Sequence, residues 1–358
     1  MMHANHLYFS VNCSRYRNAI HKSDDTSGVA SIIHYLETHE EFVVSYRNIF
    51  SYSDVSPFCI FLSRRTLLQS CFQYGSHVIG IDATFNVTYY RNVSLFAIVA
   101  RSDGGALPLG YFITTSKNEQ AVTIGLKLFL EAANFELQAN CSLKQNESYS
   151  PQAVCIDKDE AELAAIKSVF PNSIIILCHY HFMVLVCGEM NSSRHGLGPA
   201  SRNVLINLFR RLSTTECSLD FENCLQDIRS VSESYYDWFA SYYLNDRWKN
   251  TFCEVHRQHF PLSVRRLCRA NMLTEVSFRT LKYVIFNGQM NKRMDDLIYS
   301  VEFRLLPYFL ARHNAMKTAT PRFNISLQSR EGGLLLYRYE EVLLILGTNL
   351  FHNIYYVI

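Results

Sequence analysis

The 358-residue sequence predicts an α/β fold in which a mixed sheet is flanked by helices and interrupted by an all-helical stretch. Three observations lead there. Apolar and polar residues alternate over 78–87, as a half-buried strand requires, whereas 93–100 is apolar at nearly every position, as a strand covered on both faces requires. Between 107 and 177, strand-like runs alternate with segments of helical period, which is the pattern of strand–helix–strand crossovers. Over 187–270 the strand-like runs stop and amphipathic helices follow one another.

Residues 1–27 are polar and turn-rich and predict no regular element, while 29–74 is a helix-leaning lead-in to the first strand, over 31–39 and then 63–74. The strand over 78–87 puts Ile79, Ile81, Ala83, Phe85 and Val87 on one face, and Gly80, Asp82, Thr84 and Asn86 on the other. Asp103-Gly104 supplies a hairpin turn from 93–100 into 107–114. Ser116 and Glu119 frame a capping box before a helix carrying Val122, Leu126, Phe129 and Ala133. A fourth strand, 153–156, ends on Asp157. Asp159 and Glu162 then open a helix with Leu163, Ile166 and Phe170, halted by Pro171. A fifth strand, 173–177, runs into Cys178-His179-Tyr180-His181. In the helical stretch, Leu205, Phe209 and Leu212 share one helix face, Cys224, Leu225 and Ile228 another, and 235–244 is aromatic-rich. A helix near Thr274, with Val276, Phe278, Leu281 and Ile285, returns the chain to the sheet. The expected organisation is an N-terminal segment over 1–70 that is partly helical. A core over 71–186, a helical insertion over 187–270, completion of the core over 271–315 and a C-terminal segment over 316–358 follow.

Composition excludes several classes. An apolar fraction of 48% with 18% charged residues is incompatible with a mostly disordered chain. Over 191–320, 18 Lys+Arg face 12 Asp+Glu (+6), whereas the remainder has 16 against 20 (−4); a mildly basic stretch beside an acidic remainder suits a polyanion-binding enzyme with a metal site, an ordinary solvated surface being the alternative. Eleven cysteines, with no C-x-x-C pair and no secretory pattern ahead of them, predict a reducing compartment. Apolar runs over 173–188 and 334–358 are broken by His179 and His181, and by Arg338, Glu340 and Glu341, so no membrane partner is expected.

Three carboxylates stand out by position: Asp82 inside a strand, Asp157 at the end of another and Glu275 opening a helix. A carboxylate set into a sheet must be paired, hydrogen-bonded or metal-bound. Converging carboxylates suit Mg²⁺, and a pair of such ions can activate an attacking hydroxyl and stabilise the leaving oxygen in phosphodiester cleavage. Taken singly, each has a plainer role: a salt-bridge Asp, a helix N-cap and a first-turn acid favoured by the helix dipole. Their order along a mixed sheet is what points to the chemistry.

The motifs carrying a resemblance are Ile81-Asp82-Ala83-Thr84-Phe85, Pro108-Leu109-Gly110-Tyr111 and Thr115-Ser116-Lys117-Asn118-Glu119. To these are added Cys155-Ile156-Asp157-Lys158-Asp159-Glu160-Ala161, Phe170-Pro171, the pair Cys178 and His181, and Thr274-Glu275 with Arg279 and Lys282. Through them residues 42–305 resemble the Mutator-like element (MULE) transposase family, of DDE type with a ribonuclease H-like core. The resemblance implies that Asp82, Asp157 and Glu275 form a catalytic triad holding two Mg²⁺ or Mn²⁺ ions. It further implies cleavage of a strand at each transposon end and transfer of the freed 3′-hydroxyl to target DNA. Asp159 competes for the second place; Asp157 is preferred because it terminates a strand, whereas Asp159 suits a helix cap. DNA as partner, a homodimer or larger assembly holding two ends, and a nuclear location are implied with them.

Arg279 and Lys282 follow Glu275 on one helical face and are candidates for phosphate contact, an ion pair with Glu275 being the alternative for Arg279. Arg210, Arg211, Arg247, Lys249, Arg265, Arg266 and Arg269 are candidates to track the DNA backbone. Trp248, with Tyr242 and Tyr243, is a candidate to stack on an unpaired base, packing in a helical core being the alternative. Cys178 and His181 can supply half of a structural zinc site, with Cys253, His256 and His259 as the other half; simple packing is the alternative. Residues 1–70 and 307–358 lack the Cys/His spacing of the DNA-end-binding and SWIM zinc modules that such transposases carry beside the core, so the resemblance makes 1–70 the remnant of a DNA-binding region. That departure keeps a second reading open, a catalytically silent, transposase-derived DNA-binding or regulatory protein.

Overall fold

Seven strands build one mixed sheet in the computed structural model, which describes residues 25–53, 56–90, 92–103, 105–258 and 272–318. They are β1 (Phe42–Ser53), β2 (Ser56–Arg64), β3 (Val78–Thr84), β4 (Ser94–Ser102), β5 (Gly105–Thr114), β6 (Ala153–Ile156) and β7 (Ile174–Leu177). Across the sheet the order is β1-β2-β5-β4-β3-β6-β7. The pairs from β1 to β3 are antiparallel, while β3–β6 and β6–β7 are parallel. Parallel neighbours need crossovers, and two helices provide them.

The helices are α1 (Asp25–Glu37), α2 (Arg65–Gln69), α3 (Glu119–Ala139), α4 (Glu160–Val169), α5 (His179–Met190), α6 (Pro199–Thr214), α7 (Ser218–Val231), α8 (Glu233–Tyr243), α9 (Lys249–Phe252), α10 (Met272–Arg279), α11 (Met294–Ser300) and α12 (Leu306–Thr318). They cover both faces of the sheet. Along β4, Phe96, Ile98 and Ala100 join an apolar cluster with Val122, Leu126 and Phe129 of α3, whereas Leu95, Ala97 and Val99 join a second with α1, α11 and Phe278 of α10. This double covering explains why β4 is apolar at almost every position. The first cluster continues through Phe182 of α5 into the helical stretch. There its ring lies 4.9 Å from Phe252, 5.0 Å from Tyr243 and 6.1 Å from Phe209. The helices α6 to α9 therefore share a core with the sheet.

Pro108 sits in the central strand β5, where a missing N–H would ordinarily break the ladder. The β4–β5 register shifts between Ile98 and Val99, opposite Gly110 and Pro108, and such an irregularity is where a strand tolerates proline. Gly110 is fixed by packing, because a Cβ there would stand 2.4 Å from the Phe61 ring.

Several expectations are corrected. Residues 42–53 and 56–64 are not a helix-leaning lead-in but the β1–β2 hairpin, which extends the sheet beyond β5. Short apolar runs such as Phe42-Val43-Val44 and Phe58-Cys59-Ile60-Phe61-Leu62 have no period that separates strand from helix. The first helix starts at Asp25 rather than Ser31. β3 ends at Thr84, and Asn86, with φ 59°, turns the chain so that Phe85 emerges 40% exposed instead of continuing the buried face. The cap of α3 is Asn118, whose side chain accepts the Ala121 N–H at 2.9 Å; Ser116 stands two residues too early. Among the described residues no disulfide joins the cysteines, and no helix is long and apolar enough to cross a membrane. His259, Arg265, Arg266, Arg269 and the Gly104 turn position lie outside the described residues.

Candidate active site

Three elements meet at the carboxyl ends of β3 and β6. Asp82 lies mid-β3, opposite Ala97 of β4, on the face that α10 covers. It is 8% exposed; its Oδ1 accepts the Ala83 N–H at 2.7 Å, and the Thr274 hydroxyl of α10 donates to Oδ2 at 3.5 Å. Burial, reinforced by the charge of Asp157, pushes the Asp82 carboxyl up to about 7, against the pull of His181 and the Ala83 N–H. Asp157 follows the last residue of β6. Its neighbour Asp159 does cap α4, accepting the Ala161 and Glu162 N–H groups at 2.9 and 3.0 Å, and pairs with Lys117 at 2.9 Å. Glu275 stands in the first turn of α10, and burial, with help from Cys178 and Asp157 and opposed by His181, raises its carboxyl to about 7.

Between these acids lies His181. Parallel pairing sets Ile156 of β6 beside Leu177 of β7, so Asp157 and Cys178 leave the sheet as neighbours, and His181 follows in the first turn of α5. Its Nδ1 is 2.5 Å from Asp157 Oδ1 and its Nε2 is 3.7 Å from Glu275 Oε1. Burial lowers the imidazole pKa, but Asp157 and Cys178 outweigh it and hold it up to about 11. Even so, Asp157 Oδ1, His181 Nδ1 and Glu275 Oε1 are buried without completing a well-directed hydrogen bond. Cys178, fully buried, occupies the N-cap position of α5 without a side-chain capping bond; a hydrogen bond from the Cys155 thiol, aided by His181, holds its own thiol well below the usual range despite burial.

Cys253 is instead buried in the apolar cluster, and the His256 ring stands 5.0 Å from that of Phe221, so neither completes a zinc site with Cys178 and His181. Among the described residues, the group of metal-capable side chains close enough to share one ion is Asp157, Cys178 and His181, with ligand atoms within 4.8 Å of one another.

A second layer escaped the sequence reading. Glu162 is buried with its carboxyl raised well above the usual range by desolvation and Asp159, and Lys117 lies 4.0 Å from it. Lys158, next to Asp157, points its ammonium at the rings of Tyr242, Tyr243 and Trp248, at 3.3, 5.4 and 5.2 Å. Trp248 is 1% exposed and donates Nε1–H to Glu160 at 2.9 Å, so its expected role in base stacking is withdrawn in favour of core packing. Arg247 pairs with Glu160 at 2.5 Å. Arg279 is exposed and makes no ion pair with Glu275, whereas Lys282 is half-buried and feels the Asp82 charge.

Residues 78–184, from β3 into α5, match the family model described as MULE transposase domain. The chain carries a MULE transposase domain. That domain contains Asp82, Asp157, Cys178 and His181, while Glu275 reaches it from α10 beyond the matched residues. No curated protein matches the chain.

Proposed function

We propose that this MULE transposase domain is a DDE-type enzyme that cleaves DNA at transposon ends and transfers the freed 3′-hydroxyl to target DNA. The observation that carries this reading is the meeting of Asp82, Asp157 and Glu275, with two of the three carboxyls raised to about 7 by burial and by their neighbours' charge. Like charges crowded in this way, with Asp157 Oδ1 and Glu275 Oε1 short of hydrogen-bond partners, suit a divalent cation. Two Mg²⁺ or Mn²⁺ ions held there would supply activation of the attacking hydroxyl and stabilisation of the leaving oxygen. The chain's own part is positional: Ala83 and Thr274 orient Asp82, and Lys282 stands ready for a phosphate. The strand order, three antiparallel strands β5-β4-β3 followed by two parallel ones, supports a ribonuclease H-like core. DNA is the partner this reading requires; an assembly of two or more copies, to hold two ends, and a nuclear location follow from it.

One observation favours the second reading, a catalytically silent DNA-binding derivative: the His181 imidazole stands between Asp157 and Glu275, where its own charge offsets theirs. Nicking of DNA carrying the terminal repeats decides between them. Cleavage dependent on Mg²⁺ or Mn²⁺ and abolished in a folded Asp82→Asn variant is expected; equal cleavage by that variant removes the enzymatic reading. Salt-dependent DNA binding with no cleavage at any divalent concentration would establish the silent derivative instead.

A further inference from the structure

The donor set Asp157, Cys178 and His181 is chemically unlike the oxygen-only set that magnesium prefers. It offers one sulfur, one nitrogen and one oxygen, with the ligand atoms within 4.8 Å of one another. Tetrahedral zinc, with bonds of about 2.0–2.3 Å, needs its ligand atoms roughly 3–4 Å apart, so small side-chain rotations close the site. The backbone fixes two of the ligands: β6 and β7 pair in register, and the Cys178 N–H donates to the Ile156 carbonyl at 2.8 Å. His181 presents Nδ1 to this group and turns Nε2 toward Glu275 Oε1, 3.7 Å away, so a shift of less than about 1 Å would let that carboxylate orient a metal-bound imidazole. Three protein ligands leave a fourth position open.

We infer that Asp157, Cys178 and His181 form a capture site for a thiophilic divalent cation, zinc in the first instance, and that its occupation excludes magnesium from the acids beside it. Zinc here is regulatory, a ligand that withdraws Asp157, rather than a structural ion joined to Cys253 and His256. Exclusion of magnesium rests on the cleavage function proposed above; capture of the thiophilic ion does not.

Cobalt(II) added to the full chain in the absence of magnesium tests this. A thiolate-to-cobalt charge-transfer band with the intense visible absorption of tetrahedral Co²⁺ is expected, displaced by stoichiometric zinc. The band should vanish in Cys178→Ser and weaken at least about tenfold in apparent affinity in Glu275→Gln. Thermal melting verifies that the variants fold, and His181→Gln, at a half-buried position, serves if the buried Cys178→Ser does not. No band, or a band unchanged in Cys178→Ser or His181→Gln, overturns the site. Added magnesium should weaken cobalt binding; indifference to magnesium overturns the sharing of Asp157. Failure of DNA cleavage with the band intact would sink the catalytic reading and leave the capture site standing.

Discussion

Tyr111 and Ser277 share a fully buried hydrogen bond, 2.5 Å between their hydroxyl oxygens, which ties α10 to the middle of β5 two residues from Glu275. Removing one partner leaves the other buried and unsatisfied, at a cost of about 1–3 kcal/mol, whereas removing both is much less harmful. Ser277→Ala and Tyr111→Phe should each destabilise by that amount in denaturant unfolding, and the double variant should recover part of the loss. Strict additivity would show that the two hydroxyls do not act together.

Glu302, in the π-helical segment Val301–Leu305 that joins α11 to α12, is fully buried, with its carboxylate 3.7 Å from Arg64 Nε and its carbonyl accepting from Arg64 Nη2 at 2.6 Å. Burial pushes its carboxyl up to about 8, against the pull of Arg64. An unfolded glutamate titrates near about 4.3, so between that pH and about 8 the folded protein holds a proton that the unfolded chain has released. Stability from this group is present at low pH and falls as pH rises through the window, by at most about 1.4 kcal/mol per pH unit. Glu302→Gln stays neutral throughout and should gain on the parent protein between pH 5 and 8 in unfolding experiments. Parallel stability curves would refute the raised carboxyl.

Lys158 is held by three aromatic rings, and a desolvated cation over such faces contributes about 0.5–2 kcal/mol. Lys158→Met should lower the melting temperature and alter the emission of Trp248, one of two tryptophans in the chain. Lys158→Arg should restore most of both signals; a Met variant with parental melting and emission would show the cage to be idle.

The elements bearing the acids were legible in the sequence because each obeys a local rule. The alternation in Gly80-Ile81-Asp82-Ala83 exposes an acid set into a strand, and the spacing from Asp159 to Glu162 marks the cap that frees Asp157 for another role. His181 was not legible as their neighbour. Its place depends on β7 lying beside β6, a fact about strand order that no local period encodes. The cage around Lys158 and the burial of Trp248 were hidden for the same reason, since both arise where Tyr242, Tyr243 and Trp248 meet Lys158 and Glu160, just after β6. The β1–β2 hairpin was missed because short apolar runs look alike in either conformation.

Lys282 faces Asp82 at the edge of the acid site, and each phosphate contact adds about one unit to the slope of log affinity against log salt. Lys282→Ala should therefore weaken DNA binding evenly across sequences and flatten that slope by about 1 in a salt titration. An unchanged slope would take Lys282 out of the DNA interface.

Gly125 of α3 packs against β5, and a Cβ there would stand 2.3 Å from the Phe112 ring, which itself stacks on Phe96 at 4.5 Å. Gly125→Ala should cost about 1–3 kcal/mol through overpacking, despite the better helix propensity of alanine. A stabilised variant in a melting experiment would show that the ring can move aside.

The placement of Glu275 on α10 also gives synthesis an order. A growing chain that has not yet reached Met272 holds Asp82 and Asp157 but neither the third acid nor the helices α10, α11 and α12 that close over one side of the sheet. Such a fragment would present bare, aggregation-prone apolar surface beside an incomplete cluster of charges. The trio is therefore incomplete until the segment that closes this side of the sheet has been made.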